Sequence, residues 1–232
     1  MLAGLKSSLS CGPDGIPSLL LKRCSLSLSY PLALIFRQSF LECRVPSPWR
    51  LANVMPLFKG GLNSDPLNYR PISLTSSCCK VLEKIVVAEI NDFLERNSLL
   101  SDSQFGFRSG VGVPEQLLLT YDFVTSHLDA EDCVDVVFFD YKKAFDLVNH
   151  NILLSKLRAL GFGVALVAWV SDFLSDRRMR VVVHGSLSSY ADVPSGVPQG
   201  SVVGPLLFLI YVNYVIADIM TYTLKAFFLR MI

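Results

Sequence analysis

The chain has 232 residues, which is enough for one large domain or two small ones with a sizeable hydrophobic core. Its formal net charge is +1, from 21 basic and 20 acidic residues, so the overall charge does not predict a nucleic-acid partner, although a local basic patch could still bind one. The six cysteines form no C-x-x-C pair and only three histidines accompany them. This composition argues against a zinc site and favours reduced, buried thiols in an intracellular protein.

The apolar spacing predicts helices and strands that follow one another without regular alternation. In chain order it predicts a helical region at 18–43, strands at 51–59 and 69–74, helices at 76–97 and 115–131, a buried strand at 133–140, helices at 151–161 and 165–176, a β pair at 179–185 and 190–196, and an apolar helix beginning at Ser201. This mixed order favours an α+β fold over a doubly wound parallel sheet.

The most apolar stretch, residues 205–220, predicts a buried core helix. It contains Asn213 and Asp218, and it is shorter than the about 20 predominantly apolar residues that a membrane-spanning helix needs. The N-terminus also lacks a secretory signal pattern. We therefore expect no membrane association, and a single C-terminal membrane span is the alternative.

The run FFDYKKAFDLVNH, residues 138–150, places an acid at the end of the predicted buried strand. The acid is Asp140, and carboxylates at strand ends are suitable ligands for Mg²⁺, which prefers carboxylate and water oxygens. A metal-dependent phosphoryl-transfer site needs more than one acid, so companion carboxylates are expected elsewhere in the chain.

Six short blocks occur along the chain: GPDGIP (12–17), PLFKGG (56–61), NYRPISLTS (68–76), QFGFRSG (104–110), FFDYKKAFDLVNH (138–150) and SGVPQGSVVGPLLF (195–208). Together they resemble the reverse transcriptase domain of non-LTR (LINE-type) retrotransposons. Each block alone is a weak signal, but all six occur in the order that this family has.

The resemblance implies a right-hand polymerase fold and an RNA-directed DNA polymerase reaction. Residues 1–132 would form the fingers with an N-terminal extension, residues 133–213 an incomplete palm, and residues 214–232 an aberrant tail, with the thumb absent. The implied partners are an RNA template, a DNA primer and a dNTP, with no membrane, and no obligate protein partner is inferable. Two Mg²⁺ ions would stabilise the attacking and leaving oxygens of the transfer.

The resemblance also assigns roles in the palm. Asp140 matches the first catalytic aspartate and metal ligand, and the Tyr141 carbonyl could add a metal ligand. Phe145 matches the position that selects the sugar, where a bulky ring leaves no room for a 2′-hydroxyl; an ordinary core Phe is the alternative. Asp146 is interpreted as structural, as a cap of the following helix.

Further roles fall on the fingers and on the turn before the apolar helix. Arg70 and Lys59 would offset the charge of the dNTP, with Gln199 and Gly200 beside the nucleotide. The QFGFRSG block would line the template path, where aromatic and guanidinium planes suit stacking on bases. Its residues are Gln104, Phe105, Phe107 and Arg108. A fingers turn with core Phe residues is the alternative there.

The companion carboxylates of the family are not found in this sequence. In the family, an aromatic–Ala–Asp–Asp motif follows the apolar helix, whereas here the match departs at Tyr214 and the chain ends in FFLRMI. We therefore expect negligible polymerase activity from the chain by itself. A non-catalytic nucleic-acid-binding remnant of a retroelement is the alternative function.

Codon arithmetic suggests a shift of reading frame close to the C-terminus. If Leu229 ends in G, Arg230 is CGG and Met231 is ATG, a shifted frame reads Ala-Asp-Asp, and the codon before it is Phe or Leu when Leu229 is TTG. Sequencing the genomic locus tests this expectation. Codons for Leu229 and Arg230 other than TTG or CTG and CGG would contradict it.

Overall fold

A computed structural model of the chain describes residues 1–108, 110–131, 133–138, 140–141 and 143–213. The described part contains seven α-helices and five strands. In chain order these are α1 (Ser18–Arg23), α2 (Ser25–Leu41), β1 (Leu51–Phe58), β2 (Tyr69–Leu74), α3 (Ser77–Arg96), α4 (Val113–Asp129), α5 (His150–Ala159), α6 (Val164–Leu174), β3 (Arg178–Val183), β4 (Ser186–Leu187), β5 (Ala191–Asp192) and α7 (Gly204–Val212).

The five strands form one sheet in the order β2-β1-β3-β4, with β5 also paired to β3. β1 and β2 are antiparallel, and Leu57 lies opposite Arg70. β1 and β3 are parallel, and Asn53 lies opposite Arg180. A parallel pair needs a long crossover, and here α3 to α6 occupy the connection. The sheet therefore joins segments on both sides of the domain boundary predicted at residues 132 and 133, and that boundary stays a prediction.

The hydrophobic core is formed mainly by helices. The largest fully buried side chains come mainly from α3, α5, α6 and α7; they are Trp169, Phe173, Leu21, Leu82, Ile90, Leu94, Leu153, Leu157, Leu174, Leu207, Leu209 and Ile210. α7 is apolar around most of its circumference, which is typical of a helix buried on all sides. Trp169 donates its indole N–H to the Ser39 hydroxyl at 3.0 Å, which satisfies the polar atom that this ring brings into the core.

Most predicted elements are confirmed with small shifts of their ends. The helix expected at 76–97 is α3, and Ser76 caps it by accepting a hydrogen bond from the Cys79 N–H at 3.3 Å. The apolar helix begins at Gly204 rather than Ser201, and the described part of it is buried as expected. Residues 214–220 of the predicted helix lie outside the described residues. The mixed α and β architecture with one sheet agrees with the α+β expectation.

The strand predicted at 133–140 is wrong for the residues that the structure describes. Residues 133–138 and Asp140 belong to no strand, and all of them except Val134 are exposed. An apolar run becomes a strand only where its N–H and C=O groups find a partner strand. In the described chain this run pairs with none of the five strands.

No helix among the described residues has both the length and the apolar composition needed to cross a membrane.

All six cysteines are free thiols, as expected. Only Cys78 and Cys79 are buried, however, and Cys133 is exposed. Burial raises the pKa of the Cys78 thiol to about 11, with a smaller contribution from the charge of Asp14.

Truncation of a buried side chain in α7 should destabilise the whole fold. Leu207 is fully buried, so we expect Leu207→Ala to lower the free energy of unfolding by about 2–5 kcal/mol through lost transfer energy and cavity formation. Urea denaturation followed by circular dichroism measures this. The matched control is Leu26→Ala, because Leu26 is 93% exposed in α2, and its expected change is within about 0.5 kcal/mol. Equal losses in the two variants would contradict burial of α7.

Candidate active site

The segment of residues 195–200 packs its backbone directly against residues 145–148. The Val197 N–H donates to the Phe145 carbonyl at 2.9 Å, and the Gly196 N–H donates to the Val148 carbonyl at 2.9 Å. Gly196 has φ +86°, and a Cβ there would lie 2.7 Å from the Cα of Asp146. Two backbones meet here at a distance that excludes any side chain, which explains a glycine at this position.

The other side of the same segment packs against β2. The Ser73 N–H donates to the Gln199 carbonyl at 3.1 Å. Gly200 has φ +95°, and a Cβ there would lie 2.6 Å from the Ser73 carbonyl oxygen. The segment is therefore held between β2 and residues 145–148. Gln199 and Gly200 lie against the strand that carries Arg70, three residues before Ser73.

The side chain of Gln199 reaches the second acid of the FFDYKKAFDLVNH run. Its amide donates to an Asp146 carboxylate oxygen at 3.3 Å. The expectation that Asp146 caps the following helix is wrong, because Asn149 holds that position and accepts from the Ile152 N–H at 3.1 Å. Asp146 lies three residues before Asn149, and its carboxylate accepts the hydrogen bond from Gln199 instead.

Phe145 belongs to a cluster of three aromatic rings. Its ring stacks on Phe208 of α7 with centroids 4.6 Å apart, and it meets Phe107 edge-on at 5.8 Å. The side chain is half-buried. The cluster brings the QFGFRSG block, the FFDYKKAFDLVNH run and α7 together and fixes the ring from two sides. A half-buried ring is compatible both with the sugar-selecting role and with the core alternative.

The other residues predicted to line the template path differ in exposure. Gln104 and Phe105 are buried, with 2% and 6% of their surface exposed. The Gln104 amide donates to the Gly106 carbonyl at 2.9 Å. Arg108 is half-buried and donates to the Ser101 carbonyl at 3.0 Å. These contacts favour the alternative of a structural turn for Gln104 and Phe105, while a template role of the block stays a prediction.

The two predicted nucleotide-binding cations lie on the β1–β2 hairpin. Lys59 is exposed just after β1, where its N–H donates to the Asn68 carbonyl at 2.8 Å. Arg70 is half-buried in β2. Neither takes part in an ion pair among the described residues. Their charges are therefore free to interact with an anionic ligand.

Asp140 and Tyr141 are both exposed. In the described part of the chain, no group of three or more His, Cys, Asp or Glu side chains could hold a metal ion. One carboxylate offers two oxygens, whereas Mg²⁺ requires about six ligands in octahedral geometry. The described residues therefore do not fit a two-metal centre without further acids.

Glu83 is a buried acid that the sequence reasoning missed. It is 0% exposed on the core face of α3, and one of its oxygens accepts from the N–H groups of Val202 at 2.6 Å and Val203 at 3.0 Å. A signal was present, because Glu83 lies next to Leu82 and three residues before Val86, both of them apolar positions of the helix. An acid inside an apolar face indicates a specific partner.

Arg177 is also buried, although it opens a basic run that continues with Arg178 and Arg180. It is 4% exposed, donates to the Phe173 carbonyl at 3.0 Å and lies over the Phe173 ring at 4.8 Å. Burial lowers the pKa of its guanidinium, and the charges of Cys79 and Glu83 oppose that shift. Burial and then the charge of Glu83 raise the pKa of the Cys79 thiol. The three groups interact inside the core.

Comparisons with known proteins agree with the motif order. Residues 59–230 match the family model described as reverse transcriptase (RNA-dependent DNA polymerase). The chain is 34% identical over 203 residues to a Drosophila melanogaster protein named probable RNA-directed DNA polymerase from transposon BS, covering 87% of this chain and 22% of that protein. It is 34% identical over 183 residues to the RNA-directed DNA polymerase from mobile element jockey of Drosophila melanogaster, covering 78% and 20%.

A third relative extends the match almost to the ends of the chain. The chain is 33% identical over 227 residues to a putative 115 kDa protein in type-1 retrotransposable element R1DM of Drosophila melanogaster, covering 95% of this chain and 21% of that protein. The chain thus spans about a fifth of the length of the curated relatives it matches.

The close backbone approach at Gly196 should make this position intolerant of a Cβ. We expect Gly196→Ala to cost the strain of a positive φ, about 1–2 kcal/mol, plus the displacement of two backbone segments. Gly185→Ala is the matched control, because Gly185 has φ +82° and no atom within 4 Å of the added Cβ. Urea denaturation of both variants separates the cost of the positive φ, which both share, from the cost of the close contact, which only Gly196→Ala has. Equal losses would contradict the packing of residues 195–200 against residues 145–148.

Proposed function

Since this chain belongs to the reverse transcriptase (RNA-dependent DNA polymerase) family, we propose that it forms the fingers and part of the palm of a non-LTR retrotransposon polymerase. Residues 1–132 would be the fingers with an N-terminal extension and residues 133–213 the palm. Its substrates would be a dNTP, an RNA template and a DNA primer, and the reaction would be attack of the primer 3′-hydroxyl on the α-phosphate.

The observation that carries this proposal is the position of residues 195–200 between β2 and residues 145–148. Backbone hydrogen bonds from Ser73 and to Phe145 tie together three of the blocks that carry the resemblance. These contacts support a nucleotide pocket bounded by Arg70, Phe145 and Gln199. A dNTP is an anion with a flat base and a sugar, and this set offers a cation, an aromatic ring and an amide.

Each member of the pocket has a distinct role in this proposal. Arg70 and Lys59 would offset the charge of the triphosphate, Arg70 by paired N–H donors. The Phe145 ring, fixed by Phe208, would leave no room for a 2′-hydroxyl. Gly200 would let the nucleotide or the template base approach the backbone closely. These contributions are positioning and charge compensation, which supply much of the acceleration in phosphoryl transfer.

Polymerases of this family use divalent metal ions, and such ions stabilise the attacking and leaving oxygens when bound. We propose Mg²⁺ as the ion and Asp140, with the Tyr141 carbonyl, as the ligands that this chain supplies. Asp140 would supply one acid of the expected set. The second candidate function is a non-catalytic module that binds nucleic acid and nucleotide.

Primer extension and binding together test the proposal. With poly(rA) annealed to oligo(dT), Mg²⁺ and dTTP, we expect the chain to bind the primer–template and dTTP but to incorporate negligible dTTP, because a single carboxylate holds two ions poorly. Extension is followed on a denaturing gel and binding by filter retention. Detectable extension would contradict the inactivity, and failure to bind either ligand would contradict the pocket.

A substitution pair tests the role of Arg70 in the same assay. We expect Arg70→Ala to weaken dTTP binding by about tenfold, the effect of one lost charge-assisted hydrogen-bonding group. Arg96→Ala is the matched control, because Arg96 is an exposed cation at the end of α3 that pairs with Asp92 at 2.9 Å. Equal dTTP affinities of the two variants would remove Arg70 from the pocket.

A further inference from the structure

We propose that Glu83 is a positioning residue for the nucleotide pocket. Its buried carboxylate holds the backbone just before α7, and through it the placement of Gln199 and Gly200 against β2. This inference rests on the proposed function, because it explains how the pocket keeps its shape. Glu83 itself would not touch the nucleotide.

The contacts of Glu83 are those of a backbone anchor. A single carboxylate oxygen receives two consecutive N–H groups, from Val202 at 2.6 Å and from Val203 at 3.0 Å. Both donors precede Gly204, the first residue of α7, so the negative charge also lies at the positive end of the helix dipole. Bonds from N–H groups to a charged oxygen are stronger than neutral ones. This part of the chain is therefore fixed to α3 at two adjacent atoms.

Stability alone gives a poor reason for an acid at this position. Glu83 is 0% exposed, and beyond the two backbone N–H groups its carboxylate has the Cys79 thiol as a hydrogen-bonding neighbour. It forms no ion pair within 4.0 Å in the described chain. Burying such a group is costly, and apolar residues often replace buried charges with no loss of stability. What the carboxylate supplies, and an apolar side chain cannot, is a fixed position for two backbone N–H groups.

Residues 199–203 are attached at both ends to one continuous piece of chain. Ser73 of β2 holds Gln199 at one end, and Glu83 of α3 holds Val202 and Val203 at the other. β2 ends at Leu74 and α3 begins at Ser77. The spacing between these two anchors is thus set by a short connection followed by less than two helical turns. A change at Glu83 would release one end and let Gln199 and Gly200 shift relative to β2.

The Ser201 hydroxyl completes the connection between the two anchors. It donates to the Pro198 carbonyl at 2.8 Å and accepts from the Gly204 N–H at 3.0 Å. The hydroxyl closes residues 198–204 into one hydrogen-bonded unit. Displacement of the N–H groups bound to Glu83 is therefore passed on to Gln199, which lies inside this unit.

Glu83→Gln with Glu89→Gln as the matched control tests the inference. The two substitutions make the same change on α3, but Glu89 is exposed whereas Glu83 is buried. In Glu83→Gln an amide of the same size loses the charge that the two N–H groups share. We expect the affinity for dTTP, measured with Mg²⁺ and poly(rA)·oligo(dT), to fall about tenfold. The affinity for the primer–template alone should stay within about twofold, and Glu89→Gln should match the wild type in both.

Hydrogen–deuterium exchange provides a readout that a general loss of stability would not reproduce. With each variant held at the same interval below its own Tm, we expect faster exchange in peptides covering residues 196–204 of Glu83→Gln and unchanged exchange in β3. Unchanged dTTP affinity in a folded Glu83→Gln variant, or faster exchange spread evenly over the chain, would overturn the inference.

Different results would contradict the proposed function and the role of Glu83. If the wild-type chain binds no dTTP, the proposed function fails, while local exchange at residues 196–204 still decides whether Glu83 anchors the segment. If Glu83→Gln does not fold, the wild-type chain decides: the Val202 and Val203 amides should be strongly protected from exchange. Exchange at the rate of an unstructured peptide would overturn the anchor.

Discussion

The arrangement of this chain depends on one close contact between backbones. Residues 195–200 pass between β2 and residues 145–148 at distances that leave no room for a Cβ on either side, as Gly196 and Gly200 show. Because main chain touches main chain, the positions of the neighbouring segments are coupled to within the length of a hydrogen bond. The same contact fixes the positions of the side chains around it, such as Phe145 and Gln199. A pocket built around it needs few further contacts to keep its shape.

The buried charges of the core also make their contacts with the backbone. Glu83 and Arg177 are both buried, and they influence each other without forming a direct ion pair in the described chain. Each charge is instead satisfied by backbone groups: N–H groups before α7 for Glu83 and the Phe173 carbonyl for Arg177. The buried charges therefore hold chain segments in place, and each one fixes the end of a helix, the start of α7 or the end of α6.

The sequence predicts the long amphipathic elements well because their signal is local. The spacing of apolar residues in α3 depends on neighbours a few positions away, and α3, β1 and β2 all appear within a few residues of their expected ends. The run at 133–140 has the composition of a strand, but a strand also needs a partner, and partners are set by the whole fold. Composition alone therefore misplaced it.

The residues of the candidate site were predictable where they belong to sequence blocks that match the order of a known family. Gln199 and Arg70 could be named from the sequence, and the structure brings the segments that carry them together. Glu83 could not be assigned its partners, because these are two backbone N–H groups 119 and 120 residues away. The half-buried and buried positions of Phe145, Gln104 and Arg177 likewise depend on packing that no local pattern encodes.

The parallel pairing of β1 with β3 has a consequence for synthesis on the ribosome. Asn53 and Arg180, which are hydrogen-bonded across this pair, lie 127 residues apart in the chain. At a translation rate of about 5–20 residues per second, β1 emerges roughly 6–25 s before its neighbour exists. During that interval one edge of the β1–β2 hairpin has no strand to pair with, and such an edge is a template for association with another chain. The nascent polypeptide is thus most vulnerable to aggregation before the second half of the sheet has been made.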